Sequence, residues 1–349
     1  MKRLKVGVIG LGRMGQHHCR VYANSKEVDF KGVFDTNSSA TRDLSERYDV
    51  PGFQRIEDLL EQIDAVSIVT PTPTHFDIAM QCLEKNVNIL IEKPVTDDLD
   101  SAQLLMDAAE MNGLVVQVGH IERFNPTYIE LKKVLESLKV IAINFRRLSP
   151  YRVSNKDVDV VFDLMVHDLD LSNDLTEKEP ISINAQGLMP FSNSLDHVVA
   201  QLFYNNGPLI TLTASRVTEQ KIRSVDITTG DAYVEADFMN KSISIHRCST
   251  AEFSDKNRNG VSYYQESLIE RILVPNAEPL SLEIKNFVDC INQGCSPRPS
   301  VKDGINAIRL AKQICFLVHE QNQQYNQLND LSFVNDGEII DAYQNPSNR

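Results

Sequence analysis

The sequence predicts an α/β protein in two parts, an N-terminal doubly wound parallel sheet followed by an α+β domain with an open, largely antiparallel sheet. Three observations carry this. A short apolar run, Val6-Gly7-Val8-Ile9, leads straight into Gly10-Leu11-Gly12-Arg13-Met14-Gly15 and a helical segment reaching Ala23. Strand-like and helix-like segments then alternate up to about residue 120. Beyond that point strand-like runs follow one another, separated by turn signals such as Asn205-Asn206-Gly207 and Thr229-Gly230-Asp231, which mark hairpins. The expected division is 1–120, 121–321 and a polar, Asn/Gln-rich tail 322–349.

In the first part, a second strand-like run, Phe30 to Phe34, ends at Asp35; a helix is expected over 38–48, a turn at Pro51-Gly52 and a helix over 56–62. A strand over 65–69 runs into Thr70-Pro71-Thr72-Pro73-Thr74-His75, where two prolines stop any helix before the apolar pattern Ile78 to Leu83 starts a new one. Strand 88–91, helix 99–111 and strand 114–118 complete the alternation. Ligands on such sheets bind outside the carboxyl ends of the strands, so the loops after Ile9, Phe34, Val69, Ile91 and Val118 line one crevice.

The second part opens with a helix over 126–138. Strands follow over 140–148, 181–188, 197–204, 209–216, 222–228, 233–238 and 242–246. Helical periodicity returns over 280–293, stops at Gly294, and resumes over 300–318 after Pro297 and Pro299. In the tail, Phe333-Val334 and Ile339-Ile340 are the apolar points that could anchor it.

Each residue of the glycine turn has a physical task. Gly10 allows a sharp bend, Gly12 lets the backbone approach a pyrophosphate, and Gly15 lets the helix pack close. The N–H groups around Arg13 and Met14 would face the phosphates at the positive end of the helix dipole. Asp35 stands 20 residues after Gly15, where a carboxylate that binds the adenosine ribose belongs. A 2′-phosphate there would meet a like charge, which favours NAD over NADP, with Arg42 the one nearby residue able to accommodate that phosphate.

Composition narrows the partners. With 48 acidic and 35 basic residues, a net charge of −13 disfavours nucleic acid and anionic membrane. The six cysteines are scattered without a CxxC pair, which fits a reducing cytoplasm rather than a disulfide framework or zinc ribbon. No stretch reads as a membrane span, and the apolar run after Met1-Lys2-Arg3 is broken by the glycine turn before any cleavage site. The eight histidines form no ligand cluster, so no metal is expected, and packing or exposure explains His17-His18 on the first helix.

Outside the glycine turn, chemistry gathers in two places. Glu92-Lys93-Pro94 ends the fourth strand, where a lysine can hydrogen-bond a substrate hydroxyl and stabilise a developing alkoxide, or can simply be a surface lysine before a turn. In Phe162-Asp163-Leu164-Met165-Val166-His167-Asp168-Leu169-Asp170, Asp163 and His167 are four apart and share a face if helical. The imidazole titrates near neutrality and a carboxylate beside it would orient it; a capping Asp and a packed His are the plainer alternative. Arginines sit in the junction Gly119-His120-Ile121-Glu122-Arg123-Phe124-Asn125-Pro126 and in Arg146-Arg147-Leu148-Ser149-Pro150-Tyr151-Arg152. They have two readings, as forks for a phosphorylated or nucleotide-linked substrate or as salt-bridge partners of neighbouring acids.

Taken in order, GLGRMG, PTPTH, EKP and Asp-x-x-x-His resemble the Gfo/Idh/MocA family of NAD(P)-dependent sugar and cyclitol dehydrogenases over roughly residues 4–318. The resemblance implies a Rossmann domain followed by a domain whose open sheet often mediates oligomerisation, so a homodimer or homotetramer. It implies that Lys93, Asp163 and His167 are catalytic, that Gly10, Gly12, Arg13, Met14, Gly15, Asp35, Thr70, Pro71, Thr72, His75 and Glu92 hold the cofactor, and that Lys93, Arg123, Asn125, Arg147 and His167 meet the substrate. Within the family, GHIERFNP and DLMVHDLDL are similar to UDP-N-acetylglucosamine 3-dehydrogenases, which implies oxidation at C3 to a 3-keto sugar that an aminotransferase would consume. The alternatives are a dehydrogenase of a free cyclitol or aldose such as inositol, and a catalytically silent NAD(P)-sensing regulator, against which the retained Lys93, Asp163 and His167 argue.

Overall fold

In the first half, five strands, β1 (Leu4–Ile9), β2 (Val28–Phe34), β3 (Ala65–Ile68), β4 (Asn88–Glu92) and β5 (Val116–Gly119), form one parallel sheet in the order β2-β1-β3-β4-β5. The computed structural model describes residues 3–151, 158–254 and 261–328; Arg152 and the tail beyond residue 328, with both of its expected apolar anchors, lie outside these. Strand β4 is apolar along its buried length and β3 is so but for Ser67, as expected of strands covered on both faces. The helices α1 (Arg13–Asn24), α2 (Ser38–Tyr48), α3 (Ile56–Leu60), α4 (His75–Glu84) and α5 (Leu99–Asn112) alternate with them. Their ends follow local chemistry: the Asn37 side chain accepts the N–H groups of Ser39 and Ala40 to start α2, Asp98 accepts Ser101 N–H to start α5, and Gly113 at φ +62° ends α5.

Eight strands form the second sheet: β6 (Val140–Leu148), β7 (Ser182–Leu188), β8 (His197–Phe203), β9 (Leu209–Ser215), β10 (Ile222–Thr229), β11 (Ala232–Asp237), β12 (Ser242–Ser254) and β13 (Val261–Ile272). They lie in the order β13-β12-β11-β10-β6-β9-β8-β7, with β6 and β9 parallel and the other pairs antiparallel. Alternation along β6 turns Ile143, Phe145 and Arg147 inward and leaves Arg146 exposed. The inward face packs against α6 (Pro126–Leu135), α7 (Val166–Thr176) and the later part of α9 (Val301–Leu328). Strand β12 is longer than expected and β13 is not expected from the sequence, because this last hairpin is polar and carries little alternation.

The C-terminal helices depart from a contiguous two-domain division. Helix α8 (Pro279–Gln293) returns to the first sheet, where Leu280, Ile284, Phe287 and Val288 pack with Val6, Val8 and Leu90. The first turns of α9 do the same on the other face through Val301, Ile305 and Ile308, and α9 runs on to Leu328, so residues 322–328 are helical rather than tail. No helix among the described residues is long and apolar enough to cross a membrane.

Candidate active site

The turn after β1 has the form of a phosphate cradle. Gly10 adopts φ +90°, and a Cβ there would lie 2.6 Å from the Val69 carbonyl; one on Gly15 would lie 1.9 Å from the Gly10 carbonyl. On Gly12 a Cβ would meet nothing within 4 Å, so the backbone faces open space at the start of α1, whose first turn has no side-chain cap. Exposed Arg13 and half-buried Met14 open the helix beside that space. Asp35 accepts the Leu11 N–H at 2.6 Å and the Asn37 N–H at 2.8 Å, which fixes its carboxylate over the glycine turn. These features fit a dinucleotide: backbone donors and a helix N-terminus for the pyrophosphate, and an anchored carboxylate for the ribose.

Beside it, the loop after β3 is stiffened by its own side chains. Thr70, exposed Pro71 and Thr72 border the crevice, and Thr74 Oγ1 donates toward Thr70 Oγ1 and the Pro71 carbonyl, each at 2.8 Å. His75 departs from the cofactor-contact expectation. It is buried, with Nδ1 3.0 Å from the Pro94 carbonyl and Nε2 2.8 Å from the Thr70 carbonyl, so it ties the PTPTH loop to the end of β4 instead of facing a ligand.

Glu92 and Lys93 end β4. Glu92 Oε1 lies 3.4 Å from His18 Nε2, and Oε2 accepts the Lys93 N–H at 3.2 Å. Burial pushes this carboxyl up, but the His18 contact, the Lys93 charge and the backbone bond together hold it below its ordinary value. His18, for which the sequence offers packing or exposure, is buried, and its Nδ1 lies 3.0 Å from Ser67 Oγ, which also meets Tyr22 Oη at 2.8 Å. Nothing in GQHH separates His18 from His17; only its place on the inner face of α1 opposite β4 does.

The segment Val161–Met165 is a π-helical turn leading into α7, a widened form that recurs at functional sites. Lys93 Nζ donates to the Asp163 carbonyl at 3.1 Å and the Phe162 carbonyl at 3.5 Å, which pins the end of β4 to the segment that carries His167. Burial lowers the Lys93 ammonium below its usual range; the Asp163 and Glu92 charges work against this, and Arg147 and Arg223 with it. His167 is held well below the usual imidazole range by burial, then by Lys93, Arg147, His120 and Arg223. Its Nδ1 is buried without a partner. The Asp163 charge favours the ammonium form of Lys93, while Lys93, Arg147, His120 and Arg223 all act against a protonated His167.

Arg123, Arg147 and Asn125 also depart from the substrate-binding expectation. Arg147, 2% exposed, donates from Nε to both Asp168 oxygens at 2.9 and 3.0 Å, from Nη2 to Asp168 Oδ1 at 2.7 Å and from Nη1 to Glu122 Oε1 at 2.9 Å. Arg123 grips Asp170 through Nε at 2.8 Å and Nη2 at 2.6 Å and reaches Asp303 and Asp174 at 3.1 and 3.3 Å. Of the two readings open in the sequence, these guanidiniums take the ion-pair one, leaving no fork for a phosphate. Asn125 caps α6 by accepting the Thr127 N–H at 3.0 Å and donates to Glu122 at 3.2 Å. Together these bonds lash the junction and β6 to α7 just beyond His167. A cation that stays partly open is Arg223, 31% exposed, which stands opposite Arg147 in the β6–β10 register and donates to Glu122 Oε1 at 3.1 Å. KIRSVDIT carries no mark of it; the strand pairing alone brings it here.

Residues 4–120 match the oxidoreductase family with an NAD-binding Rossmann fold, and residues 140–232 match the GFO/IDH/MocA C-terminal domain. The chain is 32% identical over 310 residues to a UDP-N-acetylglucosamine 3-dehydrogenase of Acidithiobacillus ferrooxidans, covering 89% of this chain and 95% of that one. The solved structure of a UDP-N-acetylglucosamine 3-dehydrogenase from the same organism superimposes with a TM-score of 0.81 at 31% identity, over 91% of this chain and 98% of the other. An inositol 2-dehydrogenase of Rhizobium meliloti is 24% identical, over 92% of this chain and 98% of that one.

Proposed function

The chain belongs to the Gfo/Idh/MocA family of NAD-binding oxidoreductases, and from that membership we propose that it is an NAD-dependent dehydrogenase oxidising C3 of UDP-N-acetylglucosamine to the 3-keto sugar. The observation that carries the chemistry is the Lys93 bond to the Asp163 carbonyl at 3.1 Å, which ties the ammonium to the segment leading into His167, whose imidazole feels the Lys93 charge. The substrate assignment rests on the 32% identity, over nearly the full length of both chains, to a named UDP-N-acetylglucosamine 3-dehydrogenase.

The reaction takes a secondary alcohol and NAD+ to a ketone, NADH and a released proton, and the chain's part is to hold the carbinol and manage that proton. The nicotinamide, when bound, supplies the hydride acceptor. His167, kept neutral by burial and by the cations around it, takes the hydroxyl proton. Lys93, half-buried, offers the charge that stabilises the oxygen as it becomes alkoxide-like. Asp163 and Glu92 favour the ammonium form of Lys93. For Lys93 to take that proton first it must start as the neutral amine, the form that burial favours.

Gly10, Gly12, Arg13, Met14 and Gly15 hold the pyrophosphate, Asp35 holds the ribose hydroxyls of NAD in preference to NADP, and Thr70, Pro71 and Thr72 border the nicotinamide end. The open face of the second sheet, with Tyr233 40% exposed and Leu209 37%, is the surface we assign to a homo-oligomer. An aminotransferase would consume the keto product.

A free cyclitol is the second reading, favoured by the withdrawal of Arg123 and Arg147 into ion pairs and by the inositol 2-dehydrogenase relative. Purified protein is given NAD and either UDP-N-acetylglucosamine or inositol, with a trapping aminotransferase and mass spectrometry in the first arm. NADH and a 3-amino nucleotide sugar support the first reading; NADH from inositol alone transfers the assignment to the second.

A further inference from the structure

Behind Glu92 the return of α8 buries a second carboxyl that the reaction above does not use. Glu283 is 0% exposed, and neither of its oxygens has a hydrogen-bond partner. Its backbone carbonyl accepts Gln117 Nε2 at 3.2 Å, which places it over β5 on the α8 side of the sheet. Gln117 is itself fully buried with Oε1 unsatisfied, and Gly119, paired with Glu92 in the β4–β5 register, leaves room for the Glu92 carboxyl, whose Oε2 lies 3.2 Å from where a Cβ would be.

The charged and titratable groups facing Glu283 among the described residues are Glu92 from β4, Asp170 from α7 and Tyr22 from α1. None of these is a cation. The partners beside those acids are already engaged with them, His18 with Glu92 and Arg123 with Asp170. A bare carboxylate in this position would be buried, unbonded and opposed by two like charges.

We propose that Glu283 is a positioning residue that stays a neutral carboxylic acid and donates a hydrogen bond to an internal water, which in turn donates one to the Glu92 carboxylate. Glu92 is then held by His18, the Lys93 N–H and the water oriented by Glu283, as the fixed counter-charge beneath Lys93. Gln117, bonded to the Glu283 carbonyl, has its own Oε1 buried and unsatisfied, a second acceptor for such a water, and buried waters make about two to four bonds of this kind. Burial and the Glu92 and Asp170 charges push the Glu283 carboxyl well above the usual range, in agreement with this.

The proposal rests on the reading of Lys93 as the cation at the reacting oxygen, and its test separates the two. Infrared difference spectra of wild type minus Glu283→Gln at neutral pH should contain the carbonyl stretch of a protonated carboxylic acid, shifted in heavy water; its absence overturns the proposal. With the substrate the protein turns over, Glu283→Leu should lose about ten- to a hundredfold in kcat, the rate equivalent of one hydrogen bond to a charged group, with KM little changed. Glu283→Gln, which keeps a donor at that position, should restore most of it. Equal losses in Gln and Leu variants overturn the positioning role. Lys93→Met is the control: if it turns over normally, the reading of Lys93 fails and the positioning role with it, while the infrared band still decides the protonation of Glu283.

Discussion

Replacing Arg147 by Met should destabilise the protein more than any change at the surface, and the structure says where the cost arises. Arg147 makes four donor contacts, three to Asp168 and one to Glu122. Glu122 would keep Arg223 at 3.1 Å and Asn125 at 3.2 Å, so it is not orphaned. Asp168, buried to 3% exposure, would lose the guanidinium that accounts for its side-chain bonds among the described residues. Breaking one partner of a buried pair costs about 3–5 kcal/mol. The escape route, protonating a carboxyl of ordinary value near 3.9 at about pH 7, costs about 4 kcal/mol, which sets the ceiling. Because that route becomes cheaper by about 1.4 kcal/mol per pH unit, the penalty should shrink to about 1.5 kcal/mol near pH 5. For a domain of this size about 4 kcal/mol lowers Tm by about 8–16 °C. Scanning calorimetry of Arg147→Met at both pH values, beside Arg147→Met/Asp168→Leu, tests it. The double variant should recover most of the loss, since apolar replacement of a buried pair is often close to neutral. A fall of less than about 3 °C at pH 7, or a double variant as unstable as the single, refutes the reasoning.

Four further outcomes follow from the site. Lys93→Met should bind NAD in calorimetric titration and fail to turn over, because the phosphate and ribose anchors lie elsewhere. His167→Ala should lose about 10²–10⁴-fold in kcat/KM, and the acid limb of the wild-type profile should fall below about pH 6.5, since burial and nearby cations keep the imidazole neutral to lower pH; a limb at 6.5 or above contradicts that assignment. Asp35→Ser should narrow the preference for NAD over NADP in the ratio of specificity constants, and equal constants in the wild type would remove its basis. Glu283→Gln should gain stability relative to wild type as pH rises. A folded value raised above the unfolded one gives stability that is full below about pH 4.3 and is lost by up to about 1.4 kcal/mol per unit as pH climbs toward the folded value.

Strand, turn and helix in the first sheet were legible because each leaves a local mark: the Gly10-x-Gly12 bend, the prolines after β3, and the apolar run at each strand. The hairpin β12–β13 left such a mark only at its start, over 242–246, the rest being polar and long. At the site, Lys93 and His167 sit at strand and helix positions that spacing identifies, whereas His18, Arg223 and Glu283 become neighbours of them only through packing of α1, β10 and α8. The arginines of the junction illustrate the converse. Their charge is plain in the sequence, but whether a fork meets phosphate or carboxylate depends on Asp168, Asp170, Asp174 and Asp303, which lie far away in sequence.

The most direct test of the proposed reaction follows the hydrogen itself. UDP-N-acetylglucosamine carrying deuterium at C3 is incubated with the protein and NAD+, the keto product being drawn off by a trapping aminotransferase. The account predicts that the deuterium appears in the reduced nicotinamide and that samples labelled at C4 yield unlabelled NADH; NADH formed with the C3 deuterium still on the sugar would contradict it.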